Sequence, residues 1–173
     1  EEWIDLNEHD IPCGQPELGV MIELPSAVFS INEILRHVDF VCLGTNDLVQ
    51  YLVGVDRDNE SVAEWYQTLH PAVLKAVQFV LNAADEANIP AIVCGEMAGS
   101  PFYTPLLIGL GARDLSMNLH SIEAVRRLIG GISHGETLRL VEMVKTAETA
   151  PEVQSKLLSF YRERWPDLFP PEI

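Results

Sequence analysis

Glu23, Asn46 with Asp47, and Cys94 each stand at the end of a short apolar run, and Arg57 follows Asp47 within the polar cluster Asp56-Arg57-Asp58-Asn59. Two carboxylates, an amide, a guanidinium and a thiol can together hold a divalent cation, bind an anion and supply a proton. A hard cation such as Mg2+ takes oxygen ligands from one or two carboxylates and fills its shell with water and substrate. A thiol can act as proton donor as well as nucleophile. Each residue also has a plainer reading. Glu23 and Asp47 suit helix caps, Asn46 suits a turn, and Arg57 can pair with Asp56 or Asp58 at the surface. Cys94 can be a small buried hydrophobe, and no histidine lies near it in sequence to activate it. His37, His120 and His134 form no ligand pattern, and His70 before Pro71 reads as a helix entry.

The runs that carry these residues read as buried strands at Gly19–Glu23, Asp39–Gly44, Ala91–Cys94 and Asp114–Met117. They are short and apolar on both faces, as parallel strands covered by helices are. Helical patterns lie between them. Ser26 is a candidate N-cap for a helix over Ala27–His37, and Pro71 suits the first turn of a helix reaching Asn88. Thr104–Gly109 is a short helix, and Ser121 can cap another through Ile129, ended by Gly130 and Gly131. Helices over about Glu136–Ala147 and Pro151–Arg164 precede prolines at 166, 170 and 171. Strands alternating with helices define an α/β fold. An open doubly wound sheet usually carries a Gly-rich loop after its first strand, but here that strand ends in Glu23-Leu-Pro-Ser. A (β/α)8 barrel places functional residues at the C-terminal ends of several strands, and Glu23, Asn46 with Asp47, Cys94 with Glu96, and Asn118 fit that rule. The expected architecture is therefore the second half of a (β/α)8 barrel followed by C-terminal helices, with one partial domain over residues 1–173 (βα units about 19–130, helices about 136–164).

Composition narrows the function. With 173 residues, 47% of them apolar, the chain can bury one sizeable core. A formal charge of −15 argues against nucleic acid, whose phosphates need clustered Lys and Arg. No apolar run reaches the roughly 18–20 residues of a membrane span. Cys13, Cys42 and Cys94 are widely spaced, with no CxxC pair to suggest zinc or a disulfide framework. Free thiols on strands point to the cytoplasm. Glu1-Glu2-Trp3 reads as the interior of a longer chain.

The ordered motifs 19–27 (GVMIELPSA), 44–51 (GTNDLVQY), 55–59 (VDRDN), 70–72 (HPA), 94–99 (CGEMAG) and 109–118 resemble the C-terminal, phosphoenolpyruvate-binding domain of Enzyme I of the bacterial phosphotransferase system. The resemblance runs from about Gly19 to Ile129. Residues 62–71 and 94–99 look closest to the nitrogen-related branch. It implies that Glu23 and Asp47 ligate Mg2+, that Asn46, Asp47 and Arg57 bind phosphoenolpyruvate, and that Cys94 protonates the enolpyruvate carbon. Cys42 stands where the family usually has serine. The family's phosphate-binding arginines and phosphorylated histidine belong to segments before Glu1, and a phosphocarrier protein is the implied partner. Alternatives are a pyruvate phosphate dikinase or phosphoenolpyruvate synthase barrel, or a non-catalytic binding or dimerisation module. A half-barrel is expected to leave inward-facing side chains, including Met21, Val41, Val93 and Met117, open to water and so to self-associate.

Overall fold

The computed structural model describes residues 11–169 together with Ile4, Leu6, Glu8 and His9. The chain start at Glu1–Trp3 and the prolines at 170 and 171 lie outside the described residues. Four strands, β1 (Gly19–Ile22), β2 (Phe40–Gly44), β3 (Ala91–Cys94) and β4 (Asp114–Leu115), form one sheet in the order β1-β2-β3-β4, every neighbour parallel. The order never reverses, whereas a doubly wound sheet reverses at its switch point. Mixed α/β with a parallel sheet is therefore the observed class.

The register explains which side chains face which way. Ile22, Leu43 and Val93 are fully buried, and each lies one residue from Met21, Cys42 and Ile92, which share the opposite face of their pleats. Met21 is 44% exposed, while Cys42 and Ile92 are half-buried. Alternation along a strand sends successive side chains to opposite faces, so one face is covered by helices and the other is open among the described residues. This corrects the expected inward set. Met21 does lie on the open face, but Val41 and Val93 are completely buried on the helix side. Met117 falls beyond β4, which ends at Leu115.

The helices differ from the sequence pattern where local chemistry competes. Instead of one helix over Ala27–His37 there are two short ones, α1 (Pro25–Phe29) and α2 (Ile31–Ile34), and Leu24 rather than Ser26 is the N-cap. Pro25 starts the helix because its fixed φ and missing N–H suit the first helical position. Helix α3 (Thr45–Val53) is not anticipated by the sequence pattern, although Leu48, Val49, Leu52 and Val53 recur with helical spacing and Gly54 caps it at φ 67°. A 3-10 turn, Glu60–Trp65, follows before α4 (Pro71–Ala87), which His70 caps by accepting from the Ala72 N–H at 3.1 Å. Helix α5 spans Thr104–Gly109. Helix α6 (Leu119–Gly131) is capped by Asn118, not Ser121, and runs through Gly130 and Gly131 instead of stopping before them. Ser133 and Glu136 form a capping box at the start of α7 (His134–Val144), and Thr149 caps α8 (Ala150–Arg164).

Helix α7 packs on α5 and on α8. Gly109 of α5 lets α7 approach closely, since a Cβ there would overlap the Thr137 carbonyl. Tyr161 of α8 is fully buried, donates its hydroxyl to the Phe102 carbonyl at 2.8 Å, and stacks on Phe169 at 4.3 Å between centroids. Burial pushes its ionisation far above the ordinary tyrosine range. Lys156 holds the end of α7 through the Met143 carbonyl and the Thr146 hydroxyl.

Candidate functional site

Glu23 and Cys94 meet on the C-terminal rim of the sheet because β1, β2 and β3 are in register. Glu23 follows β1 directly, Gly44 ends β2, and Cys94, opposite Gly44, ends β3. Gly44 has no side chain, and the Glu23 carboxylate occupies the space above it. A Cβ at Gly44 would lie 3.0 Å from Glu23 Oε2 and 3.1 Å from Met21 Sδ. The Cys94 thiol donates to the Leu43 carbonyl at 2.9 Å and lies 3.8 Å from Met21 Sδ. Burial first, then the neighbouring Cys42 and the negative charge of Glu23, push its ionisation above the ordinary thiol value. The thiol therefore keeps its proton at neutral pH, the state a proton donor needs.

Asn46 and Asp47 occupy the first turn of α3, immediately past β2. Asn46 is held from two sides. Its side-chain oxygen accepts from the Glu96 N–H at 3.0 Å, and its backbone carbonyl accepts from the Tyr66 hydroxyl at 2.9 Å. Fully buried Thr45 donates to the Cys94 carbonyl at 2.7 Å, tying the start of α3 to the end of β3. Gly95 makes this junction possible. It adopts φ 90°, a region that favours glycine, and a Cβ there would overlap Thr45 Oγ1 and sit 2.9 Å from Asn46 Oδ1.

Arg57 lies in the exposed loop after α3, where its N–H donates to Gln50 Oε1 at 3.1 Å. Its guanidinium is near Tyr66: burial raises the phenol's ionisation, Arg57 opposes that, and Glu96 and Asp47 add to it. Tyr66 is thus a common neighbour of Arg57, Glu96 and Asp47. Asn118, the fourth strand-end residue, serves instead as the cap of α6, accepting from Ser121 N–H at 2.9 Å. Thr45, Tyr66 and Gly95 escape sequence reasoning as site residues. Gly-Thr-Asn-Asp and Cys-Gly-Glu flag the first and last as loop chemistry, but nothing local singles out Tyr66.

The donor set fits one kind of cation. The carboxylates of Glu23 and Asp47 take part in no ion pair or side-chain hydrogen bond among the described residues, and both residues are half-buried. No group of three or more His, Cys, Asp or Glu is placed to hold a metal by itself among those residues. That excludes a closed zinc site built from them, which needs four protein ligands. Carboxylates with unclaimed oxygens are the donors that Mg2+ takes, since it keeps waters and substrate oxygens in the rest of its shell.

A one-way parallel sheet with helices on one face and acid, amide and thiol groups on its C-terminal rim makes this an α/β protein with its reactive groups gathered at one end of the strands. The chain belongs to the family described as PEP-utilising enzyme, PEP-binding domain, whose profile matches residues 4–134. It is 40% identical over 156 residues to a protein of Escherichia coli K12 named phosphoenolpyruvate-dependent phosphotransferase system, covering 90% of this chain and 21% of that one. It is 39% identical over 155 residues to a phosphoenolpyruvate-protein phosphotransferase of Mycoplasma pneumoniae (90% and 27%), and 42% identical over 139 residues to one of Chlamydia pneumoniae (80% and 24%). The chain thus spans 21% to 27% of the length of these curated relatives.

Proposed function

We propose that this chain is the part of a phosphoenolpyruvate-protein phosphotransferase that binds Mg2+ and phosphoenolpyruvate. The observation that carries the reading is the meeting of Glu23 and Cys94 over Gly44, next to the first turn of α3 that bears Asn46 and Asp47. In this reading the four βα units at about 19–130 are the second half of a (β/α)8 barrel, completed by a first half outside this chain. The enzyme is cytoplasmic in this reading, the compartment that the free thiols Cys13, Cys42 and Cys94 favour. The dikinase, synthase and binding-module alternatives are not favoured, because the relatives are named as phosphotransferases.

Glu23 and Asp47 would hold Mg2+, which when bound polarises the phosphoryl oxygens and offsets charge on the leaving enolate. Arg57 and the Asn46 amide bind the phosphate and carboxylate of the substrate. The P–O bond breaks as a histidine nitrogen of the parent enzyme takes the phosphoryl group, leaving the enolate of pyruvate. Cys94 Sγ gives its proton to the methylene carbon, completing pyruvate, and the thiolate regains a proton from water. A phosphocarrier protein then accepts the phosphoryl group from the histidine.

The test is a chimera in which this chain replaces the matching segment of the Escherichia coli relative. It should release pyruvate from phosphoenolpyruvate when Mg2+ is supplied. Cys94→Ala should lower that rate by about 100- to 10,000-fold, the usual range for a lost acid, with metal binding retained. An active chimera that keeps its full rate as Cys94→Ala would return the thiol to a packing role. In the chain itself, Glu23→Gln and Asp47→Asn should each abolish binding of Mn2+, used as the paramagnetic substitute. A chain that binds no Mn2+ would remove the metal site.

A further inference from the structure

Seventeen residues, Gly54–His70, separate α3 from α4, a long connection whose only regular structure is one 3-10 turn. Connections of that length are usually functional or mobile. This one is tied back to α3 at both ends of its path. The Arg57 N–H donates to Gln50 Oε1 at 3.1 Å, and the Tyr66 hydroxyl donates to the Asn46 carbonyl at 2.9 Å. The first tie holds the arginine itself. The second reaches the peptide that joins Asn46 to Asp47.

We propose that Tyr66 is a positioning residue that fixes the first turn of α3 against the Arg57 loop and so sets the spacing between the carboxylate and amide on one side and the guanidinium on the other. The inference rests on the metal and substrate reading of the preceding subsection. Three features of the geometry support it. A backbone carbonyl has two lone pairs, so Asn46 can accept the phenol while its carbonyl still serves the helix. The phenol bridges segments 20 residues apart, and it lies where Arg57, Asp47 and Glu96 all act on it. Glu96, in turn, holds the Asn46 side chain through its backbone N–H at 3.0 Å. The Asn46 residue is therefore gripped at its amide by the β3 end and at its carbonyl by Tyr66. With the phenol gone, the Glu96 grip, the Thr45 tie and the helix's own hydrogen bonds remain, but nothing links the Asn46–Asp47 peptide to the Arg57 loop from that side, so the spacing between Asp47 and Arg57 loosens. Tyr66 also lines a cleft of about 310 Å3 with Gln67, Phe102 and Tyr103, and Tyr66→Phe keeps the ring while removing only the donor.

The experiment is Mn2+ titration of the chain, read by electron paramagnetic resonance, for wild type, Tyr66→Phe and Tyr103→Phe, each with its urea midpoint. Residues that orient metal ligands typically change affinity by about 10- to 100-fold when altered. Because Tyr66 acts through a backbone carbonyl, about tenfold weaker binding is expected for Tyr66→Phe. Tyr103→Phe, which alters the same cleft without touching Asn46, should bind like wild type. Equal affinity of wild type and Tyr66→Phe would overturn the inference and leave the metal site standing. Equal weakening by both variants would overturn it too, since the effect would then come from the cleft at large. A wild-type chain that binds no Mn2+ would overturn both the inference and the metal reading beneath it.

Discussion

Replacing Gly95 by alanine puts a methyl group where the start of α3 meets the end of β3. Two separate costs follow. The φ of 90° is unfavourable for any residue with a Cβ, a penalty of about 1–2 kcal/mol. The new Cβ also overlaps Thr45 Oγ1 and crowds Asn46 Oδ1. Thr45 is fully buried, so moving it breaks its hydrogen bond to the Cys94 carbonyl and leaves buried groups without partners. That loss is worth about 1–3 kcal/mol, giving a total of about 2–5 kcal/mol, a large share of a stability of roughly 5–15 kcal/mol. Gly54→Ala provides the comparison. Gly54 also has positive φ, 67°, but no atom lies within 4 Å of its would-be Cβ, so it incurs the backbone penalty alone. Urea unfolding of both variants measures the difference, with an unchanged m-value required for the comparison to hold. Gly95→Ala should lose at least 1 kcal/mol more than Gly54→Ala, at the lower bound of the hydrogen-bond loss. If the two variants unfold at the same midpoint, the junction is not held by Thr45 and Asn46, and the account of how the rim is assembled fails.

Tyr161→Phe keeps the aromatic stack but strands the Phe102 carbonyl in the core; a loss of about 1–3 kcal/mol is expected, and an unchanged urea midpoint would argue that water reaches that carbonyl. The Cys94 thiol ionises above its ordinary value near 9 in the fold, so the folded state holds this proton more tightly than the unfolded chain. Its contribution is fully present below pH 9 and is lost as pH rises through the folded value; urea midpoints should fall less steeply on the alkaline side in Cys94→Ala than in wild type. The open sheet face carries Met21 at 44% exposure beside Cys42 and Ile92. Burying an apolar side chain is worth about 1.5–3 kcal/mol, so sedimentation velocity should find the chain self-associated, and Met21→Lys should shift it toward monomer. A wild-type chain that sediments as a monomer at all concentrations would show that this face is tolerated in water.

The strands were legible because each is a short apolar run stopped by polar residues. Ala91–Cys94 and Thr104–Gly109 agree with the sequence pattern at both ends, and the strand-end placement of Glu23 and Cys94 follows from the same signal. The caps were less legible. Ser26 and Ser121 have the right chemistry for N-caps, yet Pro25 and Asn118 start their helices earlier, because several residues in a row can begin a helix and packing selects among them. What the chain pattern could not reveal were contacts across distance. Alternation marks two faces of a strand, but not which one the helices cover, and so it cannot place Val41 and Val93 on the helix side, where both are buried. Thr45 meets Cys94 across 49 residues, and Tyr66 meets Asn46 across 20. Residue types and local periodicity determined the elements and the chemistry each rim position can offer. Only the parallel register of β1, β2 and β3 decided that Glu23 stands over Gly44 beside Cys94, because hydrogen bonding between strands fixes which residues become neighbours.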